Sequence, residues 1–481
     1  VAMVPDEARV PKSTFKAPGK LKQIAVYFKR DVLSKLANRQ YVLINLLEAP
    51  VLAFVMAFFL RYRSIGLGEE GSYVLRHNDN IPQYLFIAVI VSLFLGLSVA
   101  AEEIIRDRKI LQREKFLSLS RASYLLSKIG LLFSISAIQT LLFVLVGDTV
   151  LGMTGMWAEH WLVLFSTACF ANVLGLNVSA SFNSAKVIYM MIPVLIIPQL
   201  MFSGIIVRFD KLHPWFASEK SVPWIGNIMA SRWAYEALAV SQFTDNAYER
   251  IFYDFDRRMK TANWKKDLWV RELLERSAQV RRTVDGKGDK DENMAKDLAL
   301  IKHEMAKEIQ GMHGLEFPHL GMLDPAHVNT KVLDELNATL DVLSQHYRHT
   351  YRNAEREKEA LIGSMTATPE LRKAYFDLLD RNRNESLADF VTNRNDVNLI
   401  TESQGELVQK SDPIYVRPTG AGFFAAQFYA PLKRIFNYPA PTLWANVMLI
   451  WAMTLLLAAA LKVDLFPWLV ARLDRGGGTG E

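Results

Sequence analysis

Asp107–Lys128 reads DRKILQREKFLSLSRASYLLSK, and six of its first nine residues are charged. The runs on either side, Tyr84–Ala101 and Ile129–Val146, contain no charged residue. About 20 apolar residues in helical form rise roughly 30 Å, the thickness of the hydrocarbon core of a bilayer. The flanks therefore predict membrane-crossing helices. The block between them predicts a charged helix held in water at one membrane face.

Working outward, the same segregation recurs along all 481 residues. Averages of 51% hydrophobic and 22% charged would suit a soluble protein, but the two classes are not mixed. Six candidate spans stand out: Tyr41–Leu60, Gln83–Ala101, about 125–146, about 160–180, Val187–Val207 and Pro441–Leu461. Before the first, Leu21–Asn38 places Ile24, Phe28, Val32 and Leu36 four residues apart among Lys22, Lys29, Arg30 and Lys35, the pattern of a helix lying at a membrane surface. Between the fifth and sixth, segments such as TKVLDELNATLDVLSQHYRHTYRNAEREKEALIGSM carry apolar residues at three- and four-residue spacing. The expected fold is an all-α membrane protein: six transmembrane helices, an N-terminal amphipathic helix, and a large helical outer domain inserted between helices five and six. The expected divisions are 1–19 linker, 20–38 amphipathic connecting helix, 39–243 helices one to five, 244–430 extracytoplasmic helical domain, 431–468 helix six and 469–481 disordered tail. The charged run Asp285–Asp297 reads as an exposed loop within the domain.

Lys and Arg crowd the segment before the first span and the loop after the second, which puts both in the cytoplasm. Six spans then return the C-terminus to the same side and leave about 208–437 outside. The formal net charge of +6 is explained by these flanks, and no basic and aromatic platform for nucleic acid is present. The start at Val1, polar and proline-rich, reads as the end of a linker.

Catalytic signatures are sparse. No GxxxxGK[ST] phosphate loop occurs. Cys169 is the single cysteine, so no disulfide framework or cysteine metal site forms within one chain. His346 and His349 lie one turn apart but lack a fixed third ligand, and solvated histidines are the plainer reading. Asn337 and Asn384 match the glycosylation pattern. Within the spans, Glu48 has Asn45 one turn away, and an acid at that depth is either a packing partner or part of a transport route. Gln139, Asn172, Asn177 and Gln199 predict interhelical hydrogen bonds or a polar cavity.

Three stretches together resemble the membrane (permease) domain of G-subfamily-like, type-2 ABC exporters. The order Asp107, Arg108, Lys109, Arg113, Glu114, Arg121, Tyr124, Lys128 is similar to the cytoplasmic helix after that family's second span. PQLMFSGIIV, Pro198–Val207, resembles the end of its fifth span. PWIGNIMASRWAYEALAVSQF, Pro223–Phe243, resembles its outer re-entrant helix, with Trp224, Tyr235 and Glu236 in the matching places. The resemblance covers about 21–243 and 430–465, and the outer insertion departs from it by being far longer than usual.

The resemblance implies two such domains pairing as a homodimer, with an ATPase domain, fused upstream or separate, docked beneath each. ATP and Mg would sit on that partner, and no cofactor in this chain. It implies coupling through Arg108, Lys109, Arg113, Glu114 and Arg121, with Ile110, Leu111, Phe116 and Leu119 available to pack on the amphipathic helix. It implies a path for hydrophobic or lipid-like cargo along Phe86, Ile90 and Phe94 of the second span and Met190, Val194, Ile197 and Met201 of the fifth. The setting would be the inner or plasma membrane, in contact with its lipids. The rival expectation is a membrane anchor that presents the outer helical domain for sensing or partner binding.

Overall fold

The computed structural model describes residues 18–61, 73–114, 120–216, 218, 221–286, 292–312, 314–418, 422–436 and 438–476. It is mainly helical, with two short antiparallel hairpins. Five helices are long and apolar enough to cross a membrane: α2 (Arg39–Leu60), α3 (Ile81–Ala101) running on into α4 (Glu103–Glu114), α5 (Arg121–Leu151), α6 (Trp157–Ser181) and α16 (Thr442–Lys462). The helix expected as the fifth span, α7 (Ala185–Met201), stops at 17 residues, a rise of roughly 25 Å. Phe202 caps it, and just beyond Gly204 turns the chain with φ +84°, where a Cβ would stand 2.5 Å from the Phe209 ring.

α6 lies at the centre. Along α3 it approaches so closely that a Cβ on Gly96 would meet the Ala168 carbonyl oxygen at 2.6 Å, and one on Gly175 would meet Ala100 Cβ at 2.8 Å. Small residues allow such contact between membrane helices. The Ser92 hydroxyl adds a 2.6 Å bond to the Leu164 carbonyl across the same seam. α2 sits at the edge, burying Ala49, Ala53 and Ala57 against its neighbours while Leu43, Ile44, Phe54 and Phe58 face outward.

α1 (Lys20–Ala37) has the orientation of a surface helix but with an unexpected inner face. Gln23, Tyr27, Asp31 and Lys35, spaced by four, are the buried positions. Leu21, Val26, Leu33 and Leu36 are exposed. Of the expected apolar stripe, Ile24, Phe28 and Val32 are half-buried beside this polar one and Leu36 is exposed. Asn38 ends α1 and caps α2 by accepting the Tyr41 N–H at 3.1 Å.

Two further helices, α8 (Trp224–Asn227) and α9 (Ala230–Thr244), follow the α7 turn, and α9 is buried from Ala230 to Phe243. Then comes a helical region: α10 (Glu249–Trp264), a π-helical turn at Lys265–Trp269, α11 (Val270–Val284), α12 (Glu292–Gly311), α13 (Thr330–Met365), α14 (Pro369–Asn382) and α15 (Glu385–Val391). α11, α12 and α13 enclose their own core of Trp269, Leu273, Ile301, Leu336 and Leu340. α15 instead returns to the bundle, where Leu387 and Val391 join the core of the spans. The hairpins β1–β2 (Ile400–Ser403, Glu406–Gln409) and β3–β4 (Leu432–Ile435, Tyr438–Pro441) lead back to α16. α17 (Leu465–Gly476) closes the described chain.

Several expectations change here. Asp107–Lys128 is not one helix: α4 ends at Glu114, and Ser120 caps α5, so Arg121, Tyr124 and Lys128 open the next span. Helix α17 crosses the boundary placed at 468/469, because Asp464 (φ +55°) breaks the backbone and LFPWLVARLDRG restarts an amphipathic pattern. The loop at 285–297 is shorter than expected, since α12 starts at Glu292 and Asp297 is buried in an ion pair with Arg276. Asn384 is buried, caps α15, and gives its amide to the carbonyls of Leu75 and Asn78 at 2.8 Å, which closes it to glycosylation in the folded chain. Most of the 1–19 linker lies outside the described residues.

Candidate functional site

Where α1, α4 and the start of α5 meet, charged side chains converge inside the protein. Lys128 is 1% exposed, and its ammonium lies 2.6 Å from Asp107, 2.9 Å from Asp31 and 3.1 Å from Glu103. Lys35 reaches the other Glu103 oxygen at 2.5 Å, and Arg106 meets that same oxygen at 3.0 Å. Three cations thus balance three carboxylates. Tyr124 donates to Asp107 at 3.2 Å and packs edge-on against Tyr27, and the Gln23 side chain accepts the Ser120 N–H at 2.8 Å. Buried charges hold only when paired and hydrogen-bonded. The cluster therefore locks a surface helix, a charged helix and a span into one body.

The coupling residues expected from sequence fall into two groups around it. Arg108 bonds to Asn183 and to the carbonyls of Ala180 and Phe182, so it secures the turn between α6 and α7. Arg121 pairs with Asp464 at the break before α17. Lys109 and Arg113 are exposed on α4. Ile110 is exposed, and Leu111 packs beside the Tyr27 and Tyr124 cluster. The Glu114 side chain, Phe116 and Leu119 lie outside the described residues. Asp31, Lys35, Glu103 and Arg106 went unrecognised. The signal was the i, i+4 repeat Gln23, Tyr27, Asp31, Lys35, matched by Glu103 and Asp107 one turn apart.

The expected cargo residues also separate. Phe86 is inside the fold, edge-on to Tyr235 at 5.9 Å, and Ile90 is half-buried. Phe94 on α3 and Met190, Val194, Ile197 and Met201 on α7 are exposed, Met190 by 72%. α3 and α7 pack together, and all five are exposed apolar residues of that pair. Glu48 is half-buried and has no hydrogen-bond or ion-pair partner among the described residues. Asn45 bonds to the Tyr41 carbonyl and takes a bond from Gln139 on its own carbonyl, not from Glu48.

On α9, Glu236 is fully buried and satisfied from four sides: Lys433 of β3 at 2.7 Å, Asn446 of α16 at 2.8 Å, the Tyr429 N–H at 3.1 Å and Arg232 at 3.4 Å. Tyr235 is buried between Phe86 and Tyr429, while Trp224 is largely exposed. Gln199 of α7 accepts the Ser231 N–H at 3.0 Å and, through its carbonyl, the Ser231 hydroxyl at 2.6 Å. α9 is thus clamped to α7, β3 and α16 together. His346 and His349 are exposed, and among the described residues no three His, Cys, Asp or Glu side chains converge as metal ligands would.

Comparison with known families gives this geometry its setting. Residues 22–243 match the family model described as ABC-2 type transporter. Among curated proteins, none matches the chain. The matched segment opens within α1, takes in the ionic cluster and the α3–α7 face, and closes at the end of α9. Over these residues, a little under half of the chain, the match is consistent with the membrane-spanning permease domain of type-2 ABC transporters.

Proposed function

We propose that this chain is the driven half of an ABC exporter for hydrophobic or lipid-like cargo, working as a pair with a second copy. A nucleotide-binding domain, fused upstream or separate, docks against α4 and carries the ATP and Mg. The observation that carries the reading is the buried cluster of Lys35, Glu103, Asp31, Asp107 and Lys128. It makes α1, α4 and α5 move as a unit, while Lys109 and Arg113 remain on the surface for a partner. Force applied to α4 then passes directly to α3 and α5, since α4 continues one and its charges grip the other. The exposed α3–α7 face, rich in Met and aliphatic side chains, is an adaptable apolar surface that suits a dimer seam and hydrophobic cargo. Lys and Arg flanks favour the α1 and α4 end as cytoplasmic, with both termini on that side and the α10–α15 region outside.

The test is ATP turnover of the protein assembled with its ATPase partner in lipid. Replacing Arg113→Ala together with Glu114→Ala should lower cargo-stimulated turnover roughly 5- to 10-fold, the effect of losing about 1 kcal/mol of surface pairing. Unchanged turnover would remove α4 from the coupling route.

A further inference from the structure

A cavity of about 260 Å³ opens where the turn after α7 meets the segments that follow α15. It is separate from the ionic cluster, and its wall has two characters. Ile205, Phe209, Val222, Phe390 and Phe428 give an apolar floor. Phe209 and Phe428 meet edge to face at 5.4 Å, and Gly204 leaves the room in which the Phe209 ring lies. Arg208, Asp210, Asp389, Asp396 and Lys410 also line it, Asp389 being paired with Arg394 at 3.1 Å.

The two cations differ in their commitments. Arg208 is neutralised by Asp210, at 3.0 and 3.1 Å, and by Asp396. Lys410 has a side chain only 11% exposed, and its nearest carboxylate oxygen, on Asp210, is 3.9 Å away. Among the described residues its ammonium donates no hydrogen bond. Its backbone is nevertheless fixed. The Lys410 N–H reaches the Leu399 carbonyl at 3.1 Å, and the Lys410 carbonyl accepts from the Asn393 amide at 3.1 Å. Asn393 holds φ +50°, a conformation that Asn tolerates better than most residues. A shielded ammonium without hydrogen bonds is costly unless an acceptor arrives. Here it lines a cavity that aromatic and aliphatic side chains also line.

We propose that this cavity binds the anionic oxygens of an amphiphile, a carboxylate or phosphate head on Lys410, with the apolar body running from Ile205 back along Met201 and Ile197 of α7. The volume is below the roughly 300–1,000 Å³ of pockets that enclose a whole drug-sized ligand, so it takes the head and the first part of the chain. The route along α7 rests on the transport reading; the binding does not, and it is measured without nucleotide.

The experiment uses the full chain in phosphatidylcholine nanodiscs and a dodecanoate carrying a photoreactive diazirine, with the labelled peptides identified by mass spectrometry. Label is expected within 197–210, displaced by dodecanoate and dodecyl phosphate but not by dodecanol. Lys410→Gln and Lys410→Met should each weaken displacement at least tenfold, and Lys410→Arg should retain it, with thermal unfolding of all three close to that of the parent. Equal displacement by dodecanol, or unaltered displacement in a folded Lys410→Gln, overturns the assignment. Displacement by inorganic phosphate at the concentration that serves dodecyl phosphate overturns the amphiphile and points to a free anion. Binding that never alters ATP turnover by the partner leaves this site standing and faults the transport reading instead.

Discussion

Lys128 contacts three carboxylates and almost no solvent, so its removal takes the close cation from Asp31 and Asp107, while Glu103 keeps Lys35 and Arg106. Breaking a buried ion network by deleting one partner costs about 3–5 kcal/mol. Lys128→Met should therefore lower unfolding stability in lipid by that amount, and Asp107→Asn, which leaves two carboxylates beside the same cations, by less. A Lys128→Met protein as stable as the parent would show that the cluster is open to water. Glu249, on α10, is a second buried charge with a different outcome. Burial pushes its carboxyl up to about 7 from an ordinary value of 4.5, against the pull of Arg383 at 3.4 Å. The native state then keeps a proton that the unfolded chain releases between pH 4.5 and 7. Stability contributed by this group is full below pH 4.5, falls as pH rises through 7 and is level above. Glu249→Gln should flatten that slope and gain roughly 2–3 kcal/mol at pH 8. Denaturant unfolding at pH 5 and pH 8 checks it, and an identical pH slope in both proteins would sink it.

At the scale of elements, the α3–α6 seam makes the sharpest prediction. Gly96→Leu drives a side chain into the Ala168 carbonyl and the Ala171 methyl, neither of which can swing aside. Overpacking of this kind costs about 1–3 kcal/mol or more, so the variant should lose monodispersity in detergent. Gly130→Leu, whose Cβ meets only the Phe28 ring edge at 3.9 Å, should not. The same seam explains what could be read from sequence. Apolar runs of span length declare themselves, since hydrocarbon tolerates little else, and α2, α3, α5, α6 and α16 lie within a few residues of where they were expected. α7 ends at Met201, six residues before the expected Val207, although the composition stays apolar to that point; Phe202 caps it and Gly204 turns the chain with a positive φ. α1 misled more deeply. Periodicity marks Ile24, Phe28, Val32 and Leu36 as one face, yet the positions fully buried are the neighbouring Gln23, Tyr27, Asp31 and Lys35, with Ile24, Phe28 and Val32 half-buried beside them. Asp31 and Lys35 turn in toward partners some 70 to 100 residues distant that no local pattern names. Glu236 was marked by its motif, whereas Lys433 and Asn446, which hold it, come from the far side of the long insertion.

For the molecule as a whole, Cys169 is the only cysteine and it is buried. Single cysteines placed elsewhere therefore report their own surroundings. Val342→Cys, on the exposed side of α13, should react with a membrane-impermeant maleimide in intact spheroplasts. Lys109→Cys, on α4, should react only after lysis. Labelling of both in intact cells would overturn the arrangement that places the α10–α15 region across the membrane from α4. That region also shares core with the bundle, since Leu387 and Val391 of α15 pack among the spans. Deleting α15 alone should therefore lower the stability of the spans, seen as a drop in the thermal midpoint of the intact protein.

The two kinds of charge at the α1–α4–α5 junction answer differently to ionic strength. Counter-ions at 0.5 M reach Lys109 and Arg113 freely and screen whatever they pair with, because screening acts on exposed charges and spares buried ones. They do not reach Lys128 or Glu103. A high-salt wash thus divides the junction: it screens the charges on the outside of α4 and leaves the α1–α4–α5 body intact.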